Sequence, residues 1–169
     1  MMSTQPMGPY EEILCALAEA GVEFIVGGGV ACVLHGVERV TMDVDVAVQM
    51  QTDNLGKFLS VMERLGLKPR VPIPPKSLLN PETVRVMIEE KNALVFSFLD
   101  PDRPFRHVDL FLRDDLSYKT LVDDIEWKEL HGVRIRVIGR RRLLAIKEAI
   151  QPPRAKDLLD IEWLRKHSS

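Results

Sequence analysis

The chain has 169 residues, of which 46% are hydrophobic and 28% charged, and its formal net charge is −2. This length suits one compact domain, and the ordinary hydrophobic fraction with a small net charge argues against intrinsic disorder. The near-neutral balance also argues against a strongly basic nucleic-acid scaffold, while it leaves room for a local basic patch.

Apolar residues at helical spacing alternate with short apolar strands in the first half of the chain. The predicted elements there are a helix over 10–20, a strand over 22–26, a helix over 30–34, a strand over 42–48 and a helix over 53–65. Residues 69–81 hold five of the eleven prolines and predict an irregular connection.

The second half continues with short helices and paired strands. The predicted elements are a helix over 83–90, strands over 94–99 and 107–112, a hairpin of strands 125–130 and 133–138, and helices over 140–150 and 154–166. We predict an α+β (α/β) fold in which helices flank a mixed β-sheet. The whole of 1–169 is expected to form one domain, with a core over about 9–138 and C-terminal helices over 140–167.

Cys15 and Cys32 lie in apolar surroundings without CxxC spacing, which predicts two buried, reduced thiols and no thiolate metal site. The uncharged stretch 24–37 is too short to span a bilayer, which needs about 20 apolar residues. The first nine residues lack the basic and apolar regions of a secretory signal. We therefore expect a cytoplasmic protein with no membrane partner.

The sequence FIVGGGVA at 24–31 is a strand, a run of glycines and the start of a helix. Glycine allows a tight turn and a close approach of the backbone to a ligand. The amide groups and the dipole of the helix start favour an anion there, and phosphate is the obvious guest. Taken alone, the run is better explained by tight packing between strand and helix, because neither familiar phosphate-binding fingerprint matches.

The sequence TMDVDVAV at 41–48 alternates acidic residues with valines. In a strand, Asp43 and Asp45 point to one face while Val44 and Val46 point into the core. Two carboxylates about 7 Å apart along a strand repel each other unless a cation lies near both. Mg²⁺ or Mn²⁺ suits such oxygen ligands. The alternative is a solvated strand face, which the flanking valines make less favourable.

Asp109 lies within the apolar strand HVDLFL at 107–112. A carboxylate in such surroundings is costly unless it is paired or bound to a metal ion. An ion pair with Arg39 or Arg106 therefore competes with a role as a metal ligand. Three inward-facing acids on two strands beside a glycine turn fit a two-metal site for phosphoryl or nucleotidyl transfer.

These motifs together resemble a known signature. Gly28-Gly29, followed by residues 30–42 and then DVDV at 43–46, resembles the DNA polymerase beta-like nucleotidyltransferase superfamily, in which a third acid follows on a later strand. The string GGVACVLHGVERVTMDVDVAV is similar to the minimal nucleotidyltransferases of the abortive-infection toxin type. The string LLAIKEAIQPPRAKDLLDIEWL at 143–164 resembles their helical ending, in which a lysine helix precedes an Arg-x-Lys-Asp helix.

The resemblance implies a nucleotidyltransferase-like fold and a metal-dependent reaction. It implies that Gly28 and Gly29 hold the triphosphate of an NTP substrate. It also implies that Asp43 and Asp45 bind two Mg²⁺ (or Mn²⁺) ions, and that Asp109 completes one site and helps to activate the acceptor hydroxyl. The acceptor is RNA, protein or a small molecule, and an antitoxin is an expected partner.

The resemblance further implies that basic residues contact phosphates or the acceptor at three positions: Arg39, Lys147 and Arg154. Lys156 matches a fourth basic position, although it is also placed to pair with Asp160 one turn later. In the same way, Asp157 is placed simply to orient Arg154. Two positions depart from the family pattern, namely Gly27, where an aliphatic residue is usual, and Pro152-Pro153, where a glycine is usual.

Four further residues carry weaker predictions. His107 shares a face with Asp109, whereas His35 is expected to be a packed or hydrogen-bonded residue of a helix. Trp127 and Trp163 are expected in the core or at a contact between subdomains.

Two functions compete with the nucleotidyltransferase. One is a catalytically degenerate nucleotide-binding or interaction module, for example half of a toxin–antitoxin pair. The other is a D-x-D glycosyltransferase that uses a sugar nucleotide and Mn²⁺, for which the chain is short and the glycine turn has no explanation.

Overall fold

A mixed β-sheet organises the computed structural model, which describes residues 6–168. Its order is β3-β4-β5-β2-β1-β7-β6. In chain order the strands are β1 (Phe24–Gly27), β2 (Val44–Val48), β3 (Lys68–Pro69), β4 (Val95–Leu99), β5 (His107–Phe111), β6 (Ile125–Leu130) and β7 (Val133–Ile138). The predicted mixed sheet flanked by helices is confirmed.

Helices precede, interrupt and follow these strands. In chain order they are α1 (Pro9–Glu19), α2 (Gly28–His35), α3 (Thr52–Arg64), α4 (Pro81–Glu89), α5 (Tyr118–Leu121), α6 (Arg140–Glu148) and α7 (Ala155–His167). Pro75–Leu79 and Asp114–Leu116 form short 3₁₀ helices. Local sequence explains several starts: Pro9 stands in the first turn of α1, and the Asn80 side chain accepts a hydrogen bond from the Glu82 amide at the start of α4.

The central strands β1 and β2 are the most deeply buried part of the sheet. All four residues of β1 are buried, as are the three valines of β2. β2 runs antiparallel to β1 and parallel to β5. A strand buried in this way has a fixed register, because a slip of one residue would turn its apolar side chains to the opposite face.

An aromatic contact in the core joins α3 to the sheet. Phe58 meets Phe98 edge to face with ring centroids 5.7 Å apart, and Phe96 lies 5.2 Å from Phe98. Burying one such side chain stabilises the fold by about 2 kcal/mol.

The C-terminal helices pack onto the same core. Leu143 of α6 and Leu164 of α7 are completely buried. Trp163 packs over Gly36, which ends α2 with φ +116°, and a Cβ at Gly36 would lie 2.9 Å from Cζ2 of the indole. This contact fixes α7 against the end of the helix that follows the glycine run.

The predicted elements are found with small shifts at their ends, and three predictions need correction. The proline-rich segment 69–81 is more ordered than an irregular connection, since it contains the end of β3 and a 3₁₀ helix. The short helices over 114–116 and 118–121 were not predicted. Trp127 is not a core residue: it is 45% exposed on edge strand β6, where the guanidinium groups of Arg134 and Arg136 lie 4.3 and 4.6 Å from its ring centroid.

Other predictions are confirmed. Cys15 and Cys32 are buried and free, and Trp163 is partly buried against the core, where it packs over Gly36. Among the helices of residues 6–168, none has the length and apolar character needed to cross a membrane.

Candidate active site

Four residues form one row across the centre of the sheet. Asp45 on β2 is paired in register with Gly27 on β1 and with Asp109 on β5, and Asp109 is paired with Ser97 on β4. Cross-strand partners point to the same face, so the side chains of the row lie together. Asp43 precedes β2 and is more open, with 62% of its side chain exposed against 22% for Asp109.

The pKa of the Asp45 carboxyl group is shifted by its position in this row. Burial raises its pKa to about 7, and the negative charges of Asp109 and Asp43 add to the effect. A cation between Asp45 and its acidic neighbours would stabilise the ionised carboxylate.

The glycine turn fits closely around the same carboxylate. Gly28 has φ +60°, and a Cβ at this position would lie 1.9 Å from Oδ2 of Asp45. A Cβ at Gly29 would lie 2.7 Å from Nη2 of Arg39 and 2.8 Å from Oγ1 of Thr41. The absence of side chains at Gly28 and Gly29 is therefore what lets Asp45 and Arg39 approach the start of α2.

The Asp109 carboxylate is hydrogen-bonded to Ser97 and His107. Neither of its two predicted arginine partners, Arg39 and Arg106, pairs with it. Ser97 Oγ donates to Oδ1 at 2.5 Å, and His107 Nε2 lies 2.8 Å from the same oxygen. The predicted ion pair of Asp109 with Arg39 or Arg106 is thus wrong, because Arg39 pairs with Asp160 and Arg106 pairs with Asp100.

Ser97 was not found by sequence reasoning. A serine in a strand carries no chemical signal by itself. The available clue is that it is the one polar residue in VFSFL at 95–99.

The predicted basic residues converge on two completely buried carboxylates of α7, Asp157 and Asp160. Arg39 donates to both oxygens of Asp160 at 2.7 and 2.9 Å. Nζ of Lys147 lies 3.1 Å from an oxygen of each carboxylate. Arg154 donates to both oxygens of Asp157 at 2.7 and 2.9 Å. Three cations on two carboxylates leave one excess positive charge.

This basic cluster, made of Arg39, Lys147 and Arg154 with their two aspartates, is coupled to the three acids Asp43, Asp45 and Asp109, which we call the acidic row. The charge of Lys147 opposes the rise in the pKa of Asp45. The charge of Asp45 is in turn among the causes that raise the pKa of Arg154, after its hydrogen bonds to Asp157.

Two predicted local interactions have different outcomes. Asp157 orients Arg154, as expected. The expected pair of Lys156 with Asp160 is wrong, because Asp160 is buried under Arg39 and Lys147 while Lys156 is exposed.

His35 is confirmed as a packed, hydrogen-bonded residue. Its Nε2 lies 2.7 Å from the backbone oxygen of Ile138, and the ring is buried. It has no place in the acidic row.

The donor chemistry of the acidic row fits a hard divalent cation. Across residues 6–168, no three His, Cys, Asp or Glu side chains already stand in metal-binding geometry. The three acids nevertheless supply the carboxylate oxygens that Mg²⁺ and Mn²⁺ prefer, and the raised pKa of Asp45 reports the uncompensated negative charge that a cation would neutralise. Asp43, Asp45 and Asp109 are therefore the residues that would hold the metal.

Comparison with known families decides the class of protein. The model of the nucleotidyl transferase AbiEii toxin of type IV toxin–antitoxin systems matches residues 12–169. The chain belongs to this family. It is a nucleotidyltransferase enzyme, in agreement with the resemblance of its glycine and acidic motifs.

Solved structures of low sequence identity share the fold. The lincosamide antibiotic adenylyltransferase LnuA, solved with lincomycin, is 16% identical with a TM-score of 0.62, and the match covers 93% of this chain and 94% of that one. ANT(2″)-Ia in complex with adenylyl-2″-tobramycin is 14% identical with a TM-score of 0.61, over 95% of this chain and 87% of that one.

A third example is an antigenic nucleotidyltransferase-like protein from Paracoccidioides brasiliensis, which is 16% identical with a TM-score of 0.55, over 93% of this chain and 75% of that one. No curated protein sequence matches this chain.

Gly28→Ala is expected to displace the Asp45 carboxylate and to reduce nucleotidyl transfer strongly. The positive φ should also cost about 1 kcal/mol of unfolding free energy. Gly66→Ala is the matched control, because Gly66 has φ +74° and a Cβ added there would meet no atom within 4 Å. Denaturant unfolding should show a loss of stability in both variants, larger in Gly28→Ala because its Cβ also overlaps the Asp45 side chain, and only Gly28→Ala should lose transfer. Equal nucleotidyl transfer in the two variants would contradict the close packing of Gly28 against the Asp45 carboxylate.

Asp160→Asn is expected to lower the unfolding free energy by about 3 kcal/mol, because it leaves the buried charges of Arg39 and Lys147 undercompensated. Although burial opposes its ionisation, hydrogen bonds from Arg39 and Lys147 lower the pKa of Asp160 below its ordinary value. The ionised carboxylate therefore stabilises the fold above about pH 4, and this contribution is lost as the pH falls through the lower pKa of the folded state.

Thermal unfolding between pH 7 and pH 3 checks this prediction, with Asp123→Asn at an exposed position as the control. The difference in stability between wild type and Asp160→Asn should shrink on acidification. A difference that is constant with pH would show that the ion pairs are not its source.

Proposed function

We propose that the protein transfers a nucleoside monophosphate from an NTP to a hydroxyl acceptor in a reaction that depends on Mg²⁺ or Mn²⁺. The observation that carries the proposal is the register pairing of Asp45 with Asp109 beside the glycine turn. In the reaction, the acceptor oxygen bonds to the α-phosphorus and its proton passes to solvent, the bond from that phosphorus to the bridging oxygen breaks, and pyrophosphate leaves.

The acidic row holds the reacting groups. Asp43 and Asp45 would bind both metal ions, and Asp109 would complete one site and receive the hydrogen bond of the acceptor hydroxyl. When bound, the divalent ions lower the pKa of the attacking hydroxyl and stabilise charge on the leaving diphosphate.

The glycine turn and the basic cluster lie on the side where the triphosphate would bind. The backbone amides of Gly28 and Gly29 begin α2, where the helix dipole favours an anion. Arg39 lies over Gly29, and the excess positive charge of the cluster with Lys147 and Arg154 attracts phosphate. These five residues are the proposed nucleotide-binding set.

The family suggests the biological setting of the reaction. Since its members are described as toxins of type IV toxin–antitoxin systems, we include in the proposal that the transfer is the toxic activity and that an antitoxin opposes it in the cell. The acceptor is RNA, protein or a small molecule. Incubating the enzyme with each labelled NTP and separate RNA, protein and metabolite fractions would identify both the nucleotide and the acceptor.

Replacing the acidic row tests the proposal directly. Asp43→Asn, Asp45→Asn and Asp109→Asn should each reduce transfer from labelled NTP by about 1,000-fold, equivalent to about 4 kcal/mol of barrier height. In metal-free buffer, Asp45→Asn should unfold at or above the wild-type temperature, because the substitution removes one of the adjacent negative charges.

Asp123→Asn serves as the control and should keep full transfer. Unchanged transfer in the Asp43 and Asp45 variants would refute the site. Absence of metal-dependent NTP binding to the wild type would instead favour the degenerate binding module.

A further inference from the structure

Two hydrogen-bond donors converge on a single oxygen of Asp109. Ser97 Oγ donates to Oδ1 at 2.5 Å from the neighbouring strand, and Nε2 of His107 lies 2.8 Å from Oδ1 on the same strand. Oδ2 receives neither bond. The distance and position allow Nε2 of His107 to donate a hydrogen bond to this oxygen.

Both donors are exceptions in otherwise apolar strands. The other four residues of β4 are apolar, and in β5 the remaining residues besides Asp109 are apolar too. Ser97 is the register partner of Asp109, and His107 precedes it by two residues on the same face. Neither polar group is needed to pair the strands, because the ladder between β4 and β5 uses backbone groups alone.

His107 also faces a second member of the acidic row. Its Nδ1 lies 3.8 Å from Oδ1 of Asp43, too far for a hydrogen bond but in contact range. The ring therefore fills the space between two of the three candidate metal ligands, with 18% of its side chain exposed.

We propose that Ser97 and His107 are positioning residues that fix the carboxylate of Asp109 for metal binding. The proposal rests on the proposed function. The last torsion of an aspartate side chain is broad, so a carboxylate with no fixed partners rotates freely among many orientations. By occupying Oδ1, the two donors leave Oδ2 as the oxygen that is presented to the cation shared with Asp45. Donors that orient a metal ligand typically account for 10- to 100-fold in metal affinity.

Binding of Mn²⁺ alone, measured by electron paramagnetic resonance on the 169-residue protein, tests the proposal without reference to turnover. Ser97→Ala and His107→Leu should each weaken Mn²⁺ binding about 10-fold, and the double variant about 100-fold. Ser97→Thr keeps a hydroxyl and His107→Gln keeps an N–H near the position of Nε2, so both should bind within about 3-fold of wild type.

The controls separate positioning from folding. Ser60→Ala, at an exposed helical position, should leave Mn²⁺ binding unchanged. Unfolding temperatures are measured for every variant, and the Mn²⁺ concentration that half-saturates transfer gives a second readout for any variant that is less stable. A loss of metal affinity at unchanged unfolding temperature, recovered in the Thr and Gln variants, supports the proposal.

Two results would overturn it, and a third would overturn the proposed function. If Ser97→Ala and His107→Leu bind Mn²⁺ as the wild type does while Asp45→Asn does not, the positioning role is wrong and the proposed function stands. If His107→Gln is as weak as His107→Leu, the hydrogen bond from His107 is not the source of its effect. If the wild type binds no Mn²⁺ and shows no transfer, the proposed function itself fails.

Discussion

The repulsion between Asp45 and Asp109 is the constraint on which the rest of the site depends. The two residues are register partners on adjacent parallel strands. Neighbouring strands lie about 4.8 Å apart, and at that separation the two carboxylates, when both are ionised, repel by about 3 kcal/mol at an effective dielectric constant of about 20. This is a large share of the roughly 5 to 15 kcal/mol by which a typical domain is stable. The fold tolerates it because the buried valines of β2 fix the register.

The surrounding residues keep this negative charge available and do not cancel it. Arg39 approaches the glycine turn, yet both of its hydrogen bonds to a carboxylate go to Asp160 on α7. Lys147 is likewise held by Asp157 and Asp160. The two aspartates of the C-terminal helix thus bind these cations, which do not pair with the acidic row. In our account, the acids are left for metal ions and the excess positive charge for phosphate.

Strand periodicity was enough to place Asp45 opposite the buried valines of β2, whereas Asp43 lies before the strand, which begins at Val44. The glycine run correctly marked the turn between a strand and a helix. The adjacency of Asp45 and Asp109 could not follow from spacing, because parallel pairing of β2 with β5 depends on a crossover through α3, β3, α4 and β4. The resemblance to nucleotidyltransferases supplied that link. The prediction for Trp127 was wrong because its side chain lies on an exposed face of the β6–β7 hairpin. There the guanidinium groups of two arginines pack on the indole.

Crystals soaked with Mn²⁺ and a non-hydrolysable NTP analogue would test the central claim most directly, with the anomalous scattering of Mn²⁺ locating the metal. Anomalous density is expected within about 2.2 Å of carboxylate oxygens of both Asp45 and Asp109, with the triphosphate against the amides of Gly28 and Gly29. Metal bound elsewhere, or a nucleotide bound away from the start of α2, would contradict it.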